Sequence, residues 1–311
     1  MSELITSAQN PKIKKLLALQ QKSSERRECG LFVVEGVREL QHCVDAGYEV
    51  DSVFRLVSAG TSPASNFIPD PSHKAEPINR SGTSPASNFI PDPSLKAEPI
   101  NGSGMKLDAG KARTGAKMQW RVFDVSPEVY GKIAYRGSTE GVIAEVRTRE
   151  LKLGDLKLGK NPLIVVLESV EKPGNLGAVL RSADAAGADA VIVCDPLTDL
   201  YNPNLIRSSI GGVFTVPTVA CTSEEAIMWL KDNGIQILTA QLQDSSYYYD
   251  TDMKRGTAIV MGTEATGLTD VWRKAADAHI LIPMLGSLDS LNVSVSAAIL
   301  LFEAVRQRRQ I

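Results

Sequence analysis

The sequence predicts an α/β protein whose larger, C-terminal part is built on a mostly parallel sheet. Three observations carry the prediction. From position 161 onward, short runs rich in Val, Ile and Leu alternate with segments of helical spacing. Helical segments between strands supply the long crossovers that parallel pairing needs. The chain has 311 residues with 43% hydrophobic content, more than one ordinary domain, so two cores are expected.

The N-terminal part opens with helix-like apolar spacing at Ile13, Leu16 and Leu17. Leu31 to Gly36 reads as a strand, Val37 to Tyr48 as a helix ending near Gly47, and Val50 to Val57 as a strand. The same strand, helix, strand order returns in WRVFDVS, in SPEVYGKIA with Ser126 as its N-cap, and in GVIAEVRT. Between these two pieces lies a tandem repeat. Gly60 to Ser81 is repeated as Gly82 to Ser103, with His73 against Leu95 and Arg80 against Gly102 as the differences. Each unit of 22 residues carries four prolines and no apolar periodicity, so stacked copies cannot build a core. Residues 58–117 are therefore read as a duplicated, disordered insert in a small α/β domain spanning 1–150. Arg149 to Lys160, with two Lys-Leu pairs and two glycines, is read as the linker.

The second domain, 161–311, reads in order as strand LIVVLES, helix NLGAVLRSADAAG, strand DAVIVCD, a helix near Asn204 to Ile210, strand FTVPTVA and helix SEEAIMWLKDNG. Strands QILTAQL and TAIVMG, a helix near Val271 to Ala276, strand AHILIPM and helix LNVSVSAAILLFEAVRQRR follow. Ligands of such sheets bind outside the carboxyl ends of the strands.

Composition excludes several classes. The 34 basic and 36 acidic side chains nearly cancel, so any basic footprint is local. Cys29, Cys43, Cys194 and Cys221 are too widely spaced for a disulfide framework or a Cys-x-x-Cys metal site. His42, His73 and His279 also lack ligand spacing, so no metal is expected. The first residues are polar and basic, and no apolar run reaches membrane-spanning length, so a soluble cytoplasmic protein is expected.

Three turns at strand ends stand out. Glu171 to Asp195 offers Gly174, Gly177 and a later Asp195, which imitates a dinucleotide fingerprint but lacks G-x-G-x-x-G. Spacing alone leaves two accounts open there: a capped helix start with Asn175 as cap and Arg181 on a solvated face, or a functional turn. In Ile259 to Asp270, Gly262 and Gly267 flank Glu264 at a strand end, allowing close backbone approach to a ligand. In Ile280 to Ala304, an N-cap at Ser287 or Ser290 accounts for the helix start but leaves the amide of Asn292 in need of partners.

Together PGNLGAVLRSADAAGA, VMGTEATGL and IPMLGSLDSLNVSVSAA match in order and spacing the three motifs of the SpoU (TrmH-like) branch of the SPOUT RNA methyltransferases, which this chain resembles over roughly Leu163 to Arg308. It departs at Ala265, where glycine is frequent, and at Ser296, where alanine is usual. The N-terminal segment is more loosely similar to the L30e-like substrate-binding domain of the family. The resemblance implies a C-terminal trefoil knot, S-adenosylmethionine (AdoMet) as cofactor, a homodimer with a shared site, and RNA ribose 2′-O-methylation, with ribosomal RNA favoured over tRNA. It places Gly262, Ile282 and Leu291 at the cofactor, together with Ala240, Met261 and Met284. Arg181 and Asn175 fall on the catalytic side, with Glu264, Ser290 and Asn292 ordering the loops. Arg181 is the proton-handling residue the family implies, although a guanidinium is better suited to anchoring phosphate or stabilising alkoxide charge. Lys12, Lys14, Lys15, Lys22, Arg26, Arg27 and Arg38 are candidate phosphate contacts or a solvated helix face. The competing functions are a non-catalytic RNA- or AdoMet-binding homologue, a tRNA ribose methyltransferase, a base methyltransferase and, most remote, a nicotinamide-dependent dehydrogenase.

Overall fold

The structure, a computed structural model, describes residues 3–57, 120–135, 140–263 and 266–309, and the repeat with its flanks lies outside them. The N-terminal elements are β1 (Glu3–Ile5), α1 (Pro11–Gln21), α2 (Ser23–Cys29), β2 (Leu31–Glu35), α3 (Val37–Asp45), β3 (Val50–Leu56), β4 (Arg121–Val125), α4 (Pro127–Ile133) and β5 (Val142–Arg147). They form a sheet in the order β1-β4-β3-β5-β2, with β5 antiparallel to both β2 and β3. In β2, Leu31 and Val33 pack with α1 and α4, while Phe32 and Val34 face the other way. Burial on both faces is why this stretch is an unbroken apolar run.

The second part comprises β6 (Leu163–Glu168), α5 (Pro173–Ala186), β7 (Ala190–Cys194), α6 (Pro203–Ser208), α7 (Gly212–Thr215), β8 (Thr218–Cys221), α8 (Ser223–Asp232) and β9 (Gln236–Ala240). Then follow β10 (Ser246–Tyr247), β11 (Thr257–Met261), α9 (Asp270–Ala275), β12 (Ala278–Leu281) and α10 (Val293–Arg308). The sheet order is β10-β12-β9-β11-β6-β7-β8, and all six strand pairings within it are parallel. Leu163, Val165 and Leu167 face the α5 side, whereas Ile164 and Val166 face α8 and α9. β12 pairs with β9 and not with its predecessor β11. The chain leaving β12 must therefore pass back across the sheet ends to lay α10 against α5, β6 and β11.

Three expectations about element boundaries and caps need correction. FTVPTVA is not one strand, because Phe214 and Thr215 close α7 and the ladder begins only after Pro217, which has no N–H to donate. The helix containing Asn175 begins at Pro173, so Asn175 lies in its first turn and is not its cap. Nor is α10 capped by Ser287 or Ser290. Asn292 caps it, its Oδ1 accepting from the Ser294 N–H at 3.0 Å and from the Ser294 hydroxyl at 2.6 Å.

The two sheets share one apolar core, which differs from the picture of domains joined by a bare linker. Phe32 stacks on Tyr201 with centroids 4.3 Å apart, and Phe214 is struck edge-on by Tyr48 at 5.2 Å. Arg26 is only 4% exposed and pairs with Asp199 at 2.6 Å while donating to the Leu19 carbonyl. That arginine is a structural tie and not a phosphate contact. Within 149–160, Leu153, Leu156 and Leu158 pack against the second core. Large apolar interfaces of this kind oppose independent domain motion.

Candidate active site

Because all seven strands run parallel, their carboxyl ends converge at one end of the sheet, and the three motif turns leave from there. Ala240 ends β9, Met261 ends β11, and Ile282 follows β12; Ala240 is in register with Ile280, and Thr239 with Val260. The end of β6 leads into α5, which carries Asn175 in its first turn and Arg181 further along an exposed part of the helix.

The first and third turns meet directly. Asn292 Nδ2 donates to Asn175 Oδ1 at 3.2 Å across 117 residues of sequence. One amide thus caps α10 with its oxygen and holds the first turn of α5 with its nitrogen, which meets the demand for partners seen in the sequence. The opposite end of α10 is pinned too: the Arg308 guanidinium donates to the carbonyls of Met253, Asn161, Pro162 and Arg255. Burial lowers the pKa of that arginine.

At the second turn, Thr263 bridges to Gly267. A Cβ on Gly262 would fall inside contact distance of the Gly267 carbonyl group and 2.5 Å from the Leu268 nitrogen, so only glycine fits. The turn is held from below by Glu168, whose two oxygens accept from the Thr269 N–H at 2.9 Å and the Thr269 hydroxyl at 2.6 Å. Glu168 is buried at the end of β6 and was not singled out in the sequence, where nothing distinguishes it from a strand terminus. Gly177, part of the apparent fingerprint, serves helix packing. A Cβ there would lie 2.8 Å from both Ser208 Cβ and the Ser209 nitrogen on the neighbouring α6.

The other candidates divide. Met261 is buried in the core, so its backbone alone is available to a ligand. Ala240, Ile282 and Met284 are half-buried at the strand ends. Leu291 is exposed, and Ser290 is exposed with its hydroxyl on Asp289 at 3.1 Å, apart from the Asn175 pair. Glu264 lies outside the described residues.

A parallel α/β sheet with polar turns gathered at its carboxyl edge, beside a small mixed sheet, is the arrangement in which α/β proteins bind ligands. Comparison with known proteins narrows the class. Residues 162–302 match the SpoU rRNA Methylase family, and residues 10–77 match the MRM3-like substrate binding domain. The chain is 37% identical over 194 residues to the 23S rRNA (guanosine-2′-O-)-methyltransferase RlmB of Bordetella pertussis, covering 61% of this chain and 79% of that one. Among solved structures it resembles an RNA 2′-O ribose methyltransferase, with 33% identity, a TM-score of 0.70 and coverage of 98% and 99% of the two chains. It also resembles the AdoMet-bound rRNA methyltransferase from Sinorhizobium meliloti, with 25% identity, a TM-score of 0.75 and 98% coverage of each. The chain belongs to the SpoU methylase family.

Proposed function

We propose that this protein is an AdoMet-dependent RNA ribose 2′-O-methyltransferase acting on ribosomal RNA. The observation that carries the proposal is the Asn175–Asn292 hydrogen bond, which joins two motif turns, one of them on the helix that carries Arg181. Family membership and the activities of the relatives support it.

The chain's own groups fit the cofactor. Gln241, next after Ala240, has its Oε1 buried with no partner among the described residues, an acceptor suited to the hydroxyls or amines of an adenosyl group. The missing side chain at Gly262 lets the turn close on the Gly267–Leu268 backbone and so shapes the strand end, while Ile282 and Leu291 add an apolar wall. When bound there, AdoMet supplies an electrophilic sulfonium methyl. Arg181 positions the target ribose through its phosphate and stabilises the developing charge on O2′, with fixed donors in place before the charge appears. Asn175 and Asn292 hold the α5 and α10 turns in register around it.

We further assign the protein as a cytoplasmic homodimer with the knot and shared site of its family. The return path from β12 to α10 supports the knot. The exposed Leu285, Leu288, Val295 and Phe302, on α10 and the loop before it, support the dimer, since such apolar groups mark association surfaces. Among the described residues no helix is long and apolar enough to cross a membrane.

The test is methyl transfer from labelled AdoMet into rRNA from cells lacking this gene, followed by mapping of 2′-O-methylated positions. Arg181→Ala should lower turnover by roughly a hundredfold or more with AdoMet affinity intact. Arg181→Lys should recover little, because an ammonium lacks the planar fork of donors. Mixing Arg181→Ala with Gly262→Val should restore activity if the two groups act across subunits. Wild-type turnover by Arg181→Ala defeats the assignment.

A further inference from the structure

At the junction of the two sheets, a guanidinium sits over a tyrosine ring. Tyr135, just after α4, is 64% exposed, and the Arg207 guanidinium of α6 sits 3.7 Å from its ring centroid. Both are held from behind. Glu35, ending β2, accepts from the Tyr135 N–H at 3.1 Å and lies 3.6 Å from Arg207 Nη2, while Asn204 Oδ1 accepts from Arg207 Nη1 at 3.1 Å. A small cleft lined by Gln20, Val33, Pro203 and Ile206 runs beside the pair.

The position relates this pair to the site. The residue after Arg207, Ser208, donates to the carbonyl of Pro173 at 3.1 Å and packs on Gly177, so α6 lies directly against the start of the helix that carries Asn175 and Arg181. The pair therefore stands one helix away from the site, on the side of the N-terminal domain. A domain latch has no need of it: the buried cluster of Phe32, Tyr48, Tyr201 and Phe214 already joins the two parts. An aromatic ring left this exposed contributes little to folding, and rings and guanidinium groups of this kind are the surfaces on which unpaired bases stack.

We propose that Tyr135 and Arg207 form a stacking platform for an unpaired nucleobase of the RNA substrate that flanks the methylated nucleotide. The inference rests on the methyltransferase reading of the site. Glu35 and Asn204 hold the guanidinium in place, leaving its remaining donors to the phosphate next to the stacked base. Stacking is tolerant of base identity, so the platform selects an unpaired, accessible strand and not a sequence.

The experiment uses the full chain and rRNA from cells lacking this gene. Tyr135→Ala should raise KM for RNA about tenfold or more while kcat at saturating RNA and AdoMet affinity stay unchanged. Tyr135→Phe and Tyr135→Trp should keep the wild-type KM, since both retain a ring. Photocrosslinking to a single-stranded oligonucleotide carrying 5-iodouridine should label Tyr135 in the wild type and lose that label in Tyr135→Ala. An unchanged KM in Tyr135→Ala, or a raised KM matched by a lowered melting temperature with no crosslink at Tyr135, overturns the platform. Should the wild type methylate no RNA, the methyltransferase reading fails, and the crosslink still decides whether the pair contacts RNA.

Discussion

The two sheets use the same secondary structure to different ends. In the N-terminal sheet, β5 runs against both β2 and β3, so loops leave at both ends and no single edge gathers them. In the second sheet every described pairing is parallel, and the turns after β6, β9, β11 and β12 are delivered to one edge. Direction of pairing thus separates a sheet whose loops are split between two ends from one that gathers its turns at a single edge. The two regions are nevertheless fused through a common core.

The largest effect should come at the parallel edge: Gly262→Val forces a side chain into the Gly267–Leu268 backbone and should abolish AdoMet binding measured by calorimetry. Retained binding would remove this turn from the cofactor site. At the seam, Phe32→Ala should cost about 3–5 kcal/mol, and because the core is shared, urea unfolding should remain one transition. Two separated transitions would show independent domains.

Smaller effects distinguish the two roles of Asn292. Asn292→Ala should destabilise by about 1 kcal/mol through loss of the cap and should also lower turnover. Asn292→Asp keeps the accepting oxygen but not the donor to Asn175, so stability should be retained while turnover falls. If both variants lose only stability, the amide pair has no part in catalysis. The smallest effect belongs to the insert: deleting Gly82 to Ser103, the second repeat copy, should leave melting temperature and methyl transfer unchanged, since four prolines without apolar spacing offer nothing to a core. A loss of either would make the repeat a functional element.

Much of this was legible in the sequence, and the failures share one cause. The unbroken apolar runs of β6, β7 and β11 announce strands buried on two faces, and the capping chemistry of Ser126 is local, so its helix start is readable. FTVPTVA misleads because its residues favour strands, while the tertiary contacts of α7 fix a helical turn there. Ser287, Ser290 and Asn292 offer the same cap chemistry, and only the position of α5 selects among them. Arg26 looks like a phosphate ligand until Asp199, 173 residues away, is brought against it. The Tyr135–Arg207 pair carries no local signal at all. Whatever depends on distant partners escapes a reading built on spacing.

The Asn175–Asn292 bond also imposes an order in time. Its two halves are separated by 117 residues. At typical translation rates of about 5–20 residues per second, the ribosome makes the second half roughly 6–23 s after the first. During that interval the nascent chain holds α5 and the early strands of the parallel sheet but not the amide that steadies the turn at Asn175. The turn at Asn175 therefore gains its distant partner only when the start of α10 has been made, so the two motif turns are joined late in synthesis.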